Sequence, residues 1–213
     1  MKLYGYWRSS AAFRVRIALN LKGVPYTYHP VNLAPQSADH LGDTYLALNP
    51  EGRVPCLVTK DGVLGQSMAI LEWLEESQPN PSLLPETAWG RAKCRAFANT
   101  IACDIHPLNN LSVLRKLTDM FDASETATTQ WYQDWINRGF VPLESKARDT
   151  RSTTFLFGDR PSLAEILLVP QIWNARRFGV DMTAYPELSQ IESACYKLDA
   201  FDRAKPENQP DAP

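Results

Sequence analysis

The sequence predicts an α/β domain over residues 1–80 followed by an all-α domain over residues 88–213. In the first part, short apolar strands alternate with amphipathic helices, whereas in the second part helical periodicity recurs without a convincing strand. Between them, residues 78–86 contain three prolines, which is typical of a linker ordered by packing.

The α/β part opens with a βαβ pattern. We expect a strand over residues 3–6, a helix over residues 11–22 that ends before Gly23, and a second strand over residues 26–33. Three further elements complete this part. They are a short helix, a hairpin around Lys-Asp-Gly and an amphipathic helix, over residues 44–48, 56–64 and 67–77.

The second part contains five amphipathic windows separated by Pro, Gly, Asp and Ser. They cover residues 89–105, 108–121, 127–144, 163–178 and 188–201. Ser162 and Glu165 have the spacing of a capping box, so the fourth window has a defined start. The tail over residues 205–213 is rich in Pro, Asn and Asp, and we expect it to be loosely held.

Composition excludes several classes of function. The 213 residues carry a net charge of -2 with both signs interspersed, which argues against nucleic-acid and membrane partners. The four cysteines form no CxxC pair, and the three histidines are too scattered for a zinc site. No signal peptide opens the chain, and no apolar run reaches the roughly 18 residues that cross a bilayer. We therefore expect a metal-free cytoplasmic protein.

The junction of the first strand and helix carries two hydroxyls, on Ser9 and Ser10. A helix N-terminus attracts anions because its first N–H groups lack partners and carry partial positive charge. A thiol bound there is stabilised as thiolate, which lowers its pKa from the usual value of about 8.5. On these residues alone, a simple N-cap role for either serine remains open.

Several motifs, beginning with the serine-bearing junction, follow one another along the chain. They are residues 9–19, Asn49-Pro50 before Val54-Pro55, Gln66-Ser67, residues 107–114, Gly158-Asp159, residues 168–171 and residues 175–178. With these motifs the chain resembles the zeta class of the cytosolic glutathione transferases. The resemblance implies a thioredoxin-like glutathione-binding domain, a helical substrate-binding domain and a homodimer.

In the first domain, the resemblance implies that glutathione is bound by Ser9, Ser10, Ala11, His40, Val54, Gln66 and Ser67. Val54 would precede a cis-proline and offer its backbone to the tripeptide, although an edge-strand proline is the alternative. Ser67 would cap the following helix while its hydroxyl holds the γ-glutamyl carboxylate. A lone histidine such as His40 is also common as a solvated loop residue.

In the helical domain, the resemblance implies ligand contacts by Asp104, His106, Asn110 and Ser112 around a helix bent at Pro107. For any of the four, a buried position in a helix is the alternative, and Asp104 and His106 also fit local caps or pairs. The resemblance further implies that Arg8 and Arg177 clamp the two acidic ends of the substrate. A solvated helix end is the alternative for Arg177.

The implied reaction is glutathione-dependent cis–trans isomerisation of maleylacetoacetate or maleylpyruvate, with Ser9, Ser10, Arg8 and Arg177 as catalytic residues. Two other functions remain open, a conjugating or dehalogenating transferase and a glutathione-binding protein without chemistry. The chain departs from the class at Ala11, where the resembling enzymes have a cysteine. We therefore expect weaker covalent inactivation of this site by reactive substrates.

Overall fold

The computed structural model describes residues 1–151 and 153–213. The chain divides into two compact units, which we describe separately. The first unit consists of Met1–Leu83 together with Tyr196–Pro213, and the second consists of Leu84–Cys195.

A four-stranded mixed sheet forms the centre of the first unit. Its strands are β1 (Lys2–Gly5), β2 (Thr27–Pro30), β3 (Cys56–Thr59) and β4 (Gly62–Leu64), in the spatial order β2-β1-β3-β4. Strand β2 runs parallel to β1, while β3 is antiparallel to both of its neighbours. The predicted second strand is longer than the observed β2, because β1 offers only four residues for pairing.

Three helices complete the α/β part of the first unit. They are α1 (Ser10–Leu21), α2 (Asp43–Leu48) and α3 (Ser67–Ser77). Helices α1 and α3 pack against each other. Helix α1 is buried from Ser10 to Leu19, including the charged residues Arg14 and Arg16. The predicted βαβ unit, short helix, hairpin and third helix are therefore confirmed.

The second unit is built from helices. They are α4 (Ala88–Asn99), a π-helical turn (Thr100–Ile105), α5 (Leu111–Phe121), α6 (Glu125–Thr150), α7 (Leu163–Arg177) and α8 (Pro186–Cys195). Helix α4 packs against α7, and α6 packs against α8. The predicted all-α character of this part is confirmed.

The connection between α4 and α5 differs from the sequence prediction. Pro107 lies between the π-helical turn and α5, rather than within a bent helix. Helix α5 begins only at Leu111, because the Asn110 side chain caps it by accepting the Ser112 N–H at 3.1 Å. On the other side, Ile105 packs so tightly on Gly139 of α6 that a Cβ at that glycine would overlap its side chain.

The predicted capping box at the start of α7 is confirmed. Ser162 Oγ accepts the Ala164 N–H at 3.2 Å, and the Glu165 carboxylate accepts the Ser162 N–H at 2.8 Å. The same carboxylate accepts the Leu156 N–H at 2.6 Å and the Ser162 hydroxyl at 2.7 Å. Because Glu165 is fully buried, water cannot replace these bonds.

We predict that Glu165→Gln lowers the free energy of unfolding by about 2 kcal/mol, because the new amide group turns a donor toward buried N–H groups. Glu125→Gln is the matched control, since Glu125 is an exposed glutamate in the first turn of α6. Urea unfolding followed by circular dichroism measures both variants. Equal stability of the two variants would show that the buried carboxylate is dispensable.

The C-terminal segment of Tyr196–Pro213 belongs to the first unit, whereas the sequence prediction grouped it with the helical domain. Its helix α9 (Asp199–Asp202) packs on α1, and Asn20 Nδ2 donates to the Ala200 carbonyl at 3.0 Å. The tail is also tied down, since Gln209 is buried and donates to the Lys205 carbonyl at 2.7 Å. The expectation of a loosely held tail was wrong, because polar composition alone does not indicate such contacts.

Candidate active site

The sheet topology brings three loops of the first unit to one edge. Because β1 and β3 are antiparallel, with Tyr4 opposite Cys56, the segment after β1 lies beside the segment before β3. Strand β4 returns antiparallel to β3, so the residues after Leu64 reach the same edge. This edge therefore gathers the start of α1, the Val54-Pro55 peptide and the start of α3.

Ser9 is the N-cap of α1. Its Oγ accepts a hydrogen bond from the Ala12 N–H at 3.2 Å, which confirms the capping interpretation. A serine hydroxyl has two acceptor positions and one donor hydrogen, so this cap leaves the Ser9 proton for donation outward. Ser10 and Ala11 follow as the first, buried residues of the helix.

The peptide bond between Val54 and Pro55 is cis, so the edge-strand alternative for this proline is set aside. Tyr45 Oη and Asn49 Nδ2 both donate to the preceding Arg53 carbonyl, at 2.7 and 2.8 Å. These two donors hold the backbone that leads into Val54. The role of these two residues was not predicted from the sequence, because a tyrosine in a helix and an asparagine in a turn are common without such a role.

The start of α3 is conformationally unusual. Gln66 precedes the helix with φ 61° and ψ 112°, a region that residues other than glycine rarely adopt. The prediction that Ser67 caps α3 is wrong, because Ser67 is already the first helical residue. Instead, the buried Ser67 hydroxyl accepts a hydrogen bond from Arg14 Nη1 of α1 at 3.2 Å.

That contact places a buried guanidinium directly behind the start of α3. Since Arg14 supplies the donor, the Ser67 hydroxyl keeps its own hydrogen for another acceptor. The role of Arg14 was not predicted from the sequence, because its partner lies 53 positions away along the chain.

His40 lies in a 3₁₀ turn, Asp39–Leu41, and is buried, so the solvated-loop alternative is wrong. Arg8 lies in the loop between β1 and α1 and is half-buried. Its guanidinium carbon lies 5.6 Å from the ring centre of Trp7 and 5.8 Å from that of Tyr6. These rings limit the directions in which the Arg8 charge can point.

The four predicted contact residues of the second unit lie between the π-helical turn and the first turn of α5. Asp104 is exposed in the π-helical turn, and His106 follows the turn as a half-buried residue. Asn110 Oδ1 accepts both the N–H and the hydroxyl of Ser112, each at 3.1 Å. None of the four residues is buried, so the alternative of a buried position in a helix is wrong for all of them. Asn110 serves locally as the N-cap of α5.

Arg177 is the last residue of α7 and is exposed, with its guanidinium carbon 4.8 Å from the Phe178 ring centre. Its neighbour Arg176 is engaged differently. Arg176 Nη2 contacts the buried Glu192 carboxylate at 2.5 Å. At this helix end, Arg176 therefore forms an ion pair with Glu192, whereas Arg177 lies over the Phe178 ring.

The buried cysteines of the chain are poor nucleophiles. Burial raises the pKa of the Cys56 thiol to about 11, with a smaller contribution from Glu51, and burial also raises the pKa of Cys94 to about 11. Across residues 1–151 and 153–213, the His, Cys, Asp and Glu side chains form no cluster suited to a metal ion. Within the same ranges, no helix is both long and apolar enough to span a bilayer.

Comparison with known proteins identifies the first unit directly. The family described as glutathione S-transferase, N-terminal domain, matches residues 8–77. Over the full length, the chain is 50% identical to a maleylpyruvate isomerase from Ralstonia sp., with all of both chains covered.

Solved structures extend this similarity to the fold. A holo structure of a maleylpyruvate isomerase, a bacterial zeta-class glutathione S-transferase, superimposes with a TM-score of 0.97, at 50% identity and full coverage of both chains. A maleylacetoacetate isomerase from Anaeromyxobacter dehalogenans 2CP-1, with glutathione in its active site, has a TM-score of 0.88 at 45% identity, covering 100% of this chain and 97% of that one.

A second structure of the Anaeromyxobacter enzyme contains dicarboxyethyl glutathione and citrate in its active site. It has a TM-score of 0.87 at 44% identity and covers 100% of this chain and 93% of that one. Full-length identity of this size, together with the shared fold, shows that the chain belongs to the zeta class of the glutathione S-transferase family.

Proposed function

We propose that this protein is a glutathione-dependent cis–trans isomerase of maleylpyruvate or maleylacetoacetate. The observation that carries the proposal is the Ser9 cap, whose oxygen accepts the Ala12 N–H at 3.2 Å and so leaves its proton for a thiolate. The full-length relatives named as isomerases of these two substrates support the reaction class.

The residues at the sheet edge fit glutathione. The γ-glutamyl carboxylate suits the N-terminus of α3, where Ser67 has a donor hydrogen and Arg14 lies behind it with a positive charge. The cysteinyl backbone suits Val54, whose peptide groups would pair with it as those of an added strand do. Gln66 and His40 complete this set of polar groups, and Ser10 and Ala11 line the start of α1.

Bound glutathione supplies a thiolate that adds reversibly to the conjugated double bond, allowing rotation about the resulting single bond before elimination restores the alkene. Ser9 donates to the sulfur, and the positive end of the α1 helix dipole favours its negative charge. These groups lower the pKa of the thiol and so raise the thiolate fraction at neutral pH.

Arg8 and Arg177 hold the acidic ends of the substrate. A guanidinium suits this task because it binds carboxylates through two parallel hydrogen bonds and stays charged. The same groups offset the negative charge that develops on the substrate. Asp104, His106, Asn110 and Ser112 supply further polar contacts with the bound ligands.

We also propose that the protein acts in the cytoplasm as a homodimer, with residues 1–80 binding glutathione and the helices of the second unit, within residues 88–195, binding substrate. Four free cysteines suit a reducing compartment. Large exposed apolar side chains on the helices of the second unit support an association surface. The most exposed are Trp89, Phe121 and Val141.

The proposal is tested by incubating the protein with maleylpyruvate and with maleylacetoacetate in parallel. We expect conversion of at least one cis substrate into its trans isomer, only when glutathione is present. Halogenated acids serve as a second substrate set. If the protein consumes free thiol with the halogenated acids and isomerises neither cis substrate, a conjugating transferase would be favoured instead.

A further inference from the structure

The last residues of the chain hold the turn that carries Arg8 and Ser9. The Ser9 N–H donates to the Tyr6 carbonyl at 2.9 Å, which closes a tight turn over residues 6–9. Within this turn, the Trp7 N–H donates to Asp211 Oδ2 at 2.9 Å. Trp7 and Asp211 are 204 positions apart, so the chain end returns to the candidate thiolate site.

Arg16 holds the same turn from the other side. Its Nη2 donates to the Trp7 carbonyl at 3.1 Å, and its Nε donates to the Ala204 carbonyl at 3.0 Å. Both backbone polar groups of Trp7 are therefore engaged, the N–H by Asp211 and the carbonyl by Arg16. A single side chain of α1 also links the turn to the C-terminal segment.

This linkage is charged, with Arg16 buried and Asp211 half-buried. Arg16 is fully buried, and burial lowers the pKa of its guanidinium while Tyr28, Tyr26 and Asp211 oppose that change. The Tyr28 hydroxyl donates to Asp211 Oδ2 at 3.4 Å. Burying the Arg16 guanidinium costs free energy, and apolar residues would anchor a tail more simply. Directional hydrogen bonds from Arg16 and Asp211 therefore suit a role in fixing the conformation of the turn, beyond attaching the C-terminal segment.

We propose that Asp211 and Arg16 are positioning residues, which hold the turn of residues 6–9 and so fix the directions of Arg8 and the Ser9 hydroxyl. This inference rests on the proposed function. If the Trp7 peptide is released, the turn can rotate, and the Ser9 proton no longer points consistently at the bound sulfur. Displacements of this kind near a reacting atom reduce rates strongly.

The experiment compares Asp211→Ala, Asp211→Asn and the control Asp199→Ala. Asp199 is a carboxylate of the same C-terminal segment whose side chain is 78% exposed and pairs with Arg203. Ultraviolet absorbance titration gives the pKa of the glutathione thiol in each complex, and steady-state kinetics separates kcat from KM. Binding of S-methylglutathione reports on the tripeptide site without the thiol proton.

We expect Asp211→Ala to raise the pKa of the bound thiol and to lower kcat roughly tenfold, while S-methylglutathione binds as in the wild type. Asp211→Asn keeps an acceptor for the Trp7 N–H, so its thiol pKa should fall between those of wild type and Asp211→Ala. Asp199→Ala should match the wild type in every readout.

An unchanged thiol pKa and kcat in folded Asp211→Ala would overturn the inference, even if its melting temperature falls. If Asp211→Ala does not fold, Asp211→Ser replaces it, because its shorter side chain cannot reach the Trp7 N–H, and a wild-type thiol pKa in that variant would overturn the inference equally. Wild-type protein that acidifies the thiol but isomerises neither substrate would overturn the proposed function alone. Wild-type protein that leaves the thiol pKa unchanged would overturn both.

Discussion

Ser9→Ala is expected to lower kcat/KM for isomerisation by roughly 100-fold to 1,000-fold, the usual cost of losing one donor to a developing or fixed anion. The variant should also raise the pKa of the bound glutathione thiol, because only the backbone N–H groups of α1 remain to stabilise the thiolate. Thiolate titration and steady-state kinetics on the same preparation measure both effects.

The structure contains a matched control for this variant. Ser124 caps α6 by accepting the Ala127 N–H at 3.2 Å, the same spacing and distance as the Ser9 cap on Ala12. Ser9→Ala and Ser124→Ala should each cost about 1 kcal/mol of stability, but only the first should change the thiol pKa. Equal kinetics in the two variants would show that Ser9 acts only as a helix cap and does not stabilise the thiolate. Ser9→Thr should retain most activity, since it keeps the hydroxyl.

Arg177→Ala is expected to lower kcat/KM by about 10-fold to 100-fold, mainly through KM, because a charge-assisted hydrogen bond contributes about 1.5–3 kcal/mol. Arg177→Lys should recover part of the affinity, as an ammonium group binds a carboxylate with less geometric control. Kinetics with saturating glutathione and varied substrate measure the split between KM and kcat.

The neighbouring arginine provides the contrast. Arg176 pairs with Glu192, whose side chain is only 6% exposed, so Arg176→Ala leaves a nearly buried carboxylate without this partner. That variant should lose stability while substrate KM stays close to wild type. An Arg177→Ala enzyme with unchanged KM would contradict its role in holding a carboxylate.

Much of the first unit was predictable because its signals are local. The Ser9 junction follows from a strand, a serine and a helical pattern in succession, and the observed cap agrees with it. The cis peptide before Pro55 was expected only through the family resemblance, since cis bonds are the minority state. The capping box at Ser162 was likewise visible in four consecutive residues.

The supporting contacts were not predictable because they join distant segments. The Arg14 bond to Ser67 spans 53 positions, and nothing near either residue indicates the other. The tail over residues 205–213 has the composition of a disordered end, yet Asp211 is held by the Trp7 N–H. The π-helical turn at Thr100–Ile105 likewise includes Ile105, whose close approach to Gly139 is a tertiary contact.

We propose that glutathione acts in this protein as a recycled nucleophile held at the N-terminus of α1. The most direct test gives the enzyme glutathione at a concentration far below that of the cis substrate, then counts trans product and free thiol. We predict complete isomerisation with the thiol count unchanged. Product limited to one equivalent of glutathione, with matching loss of thiol, would contradict the claim.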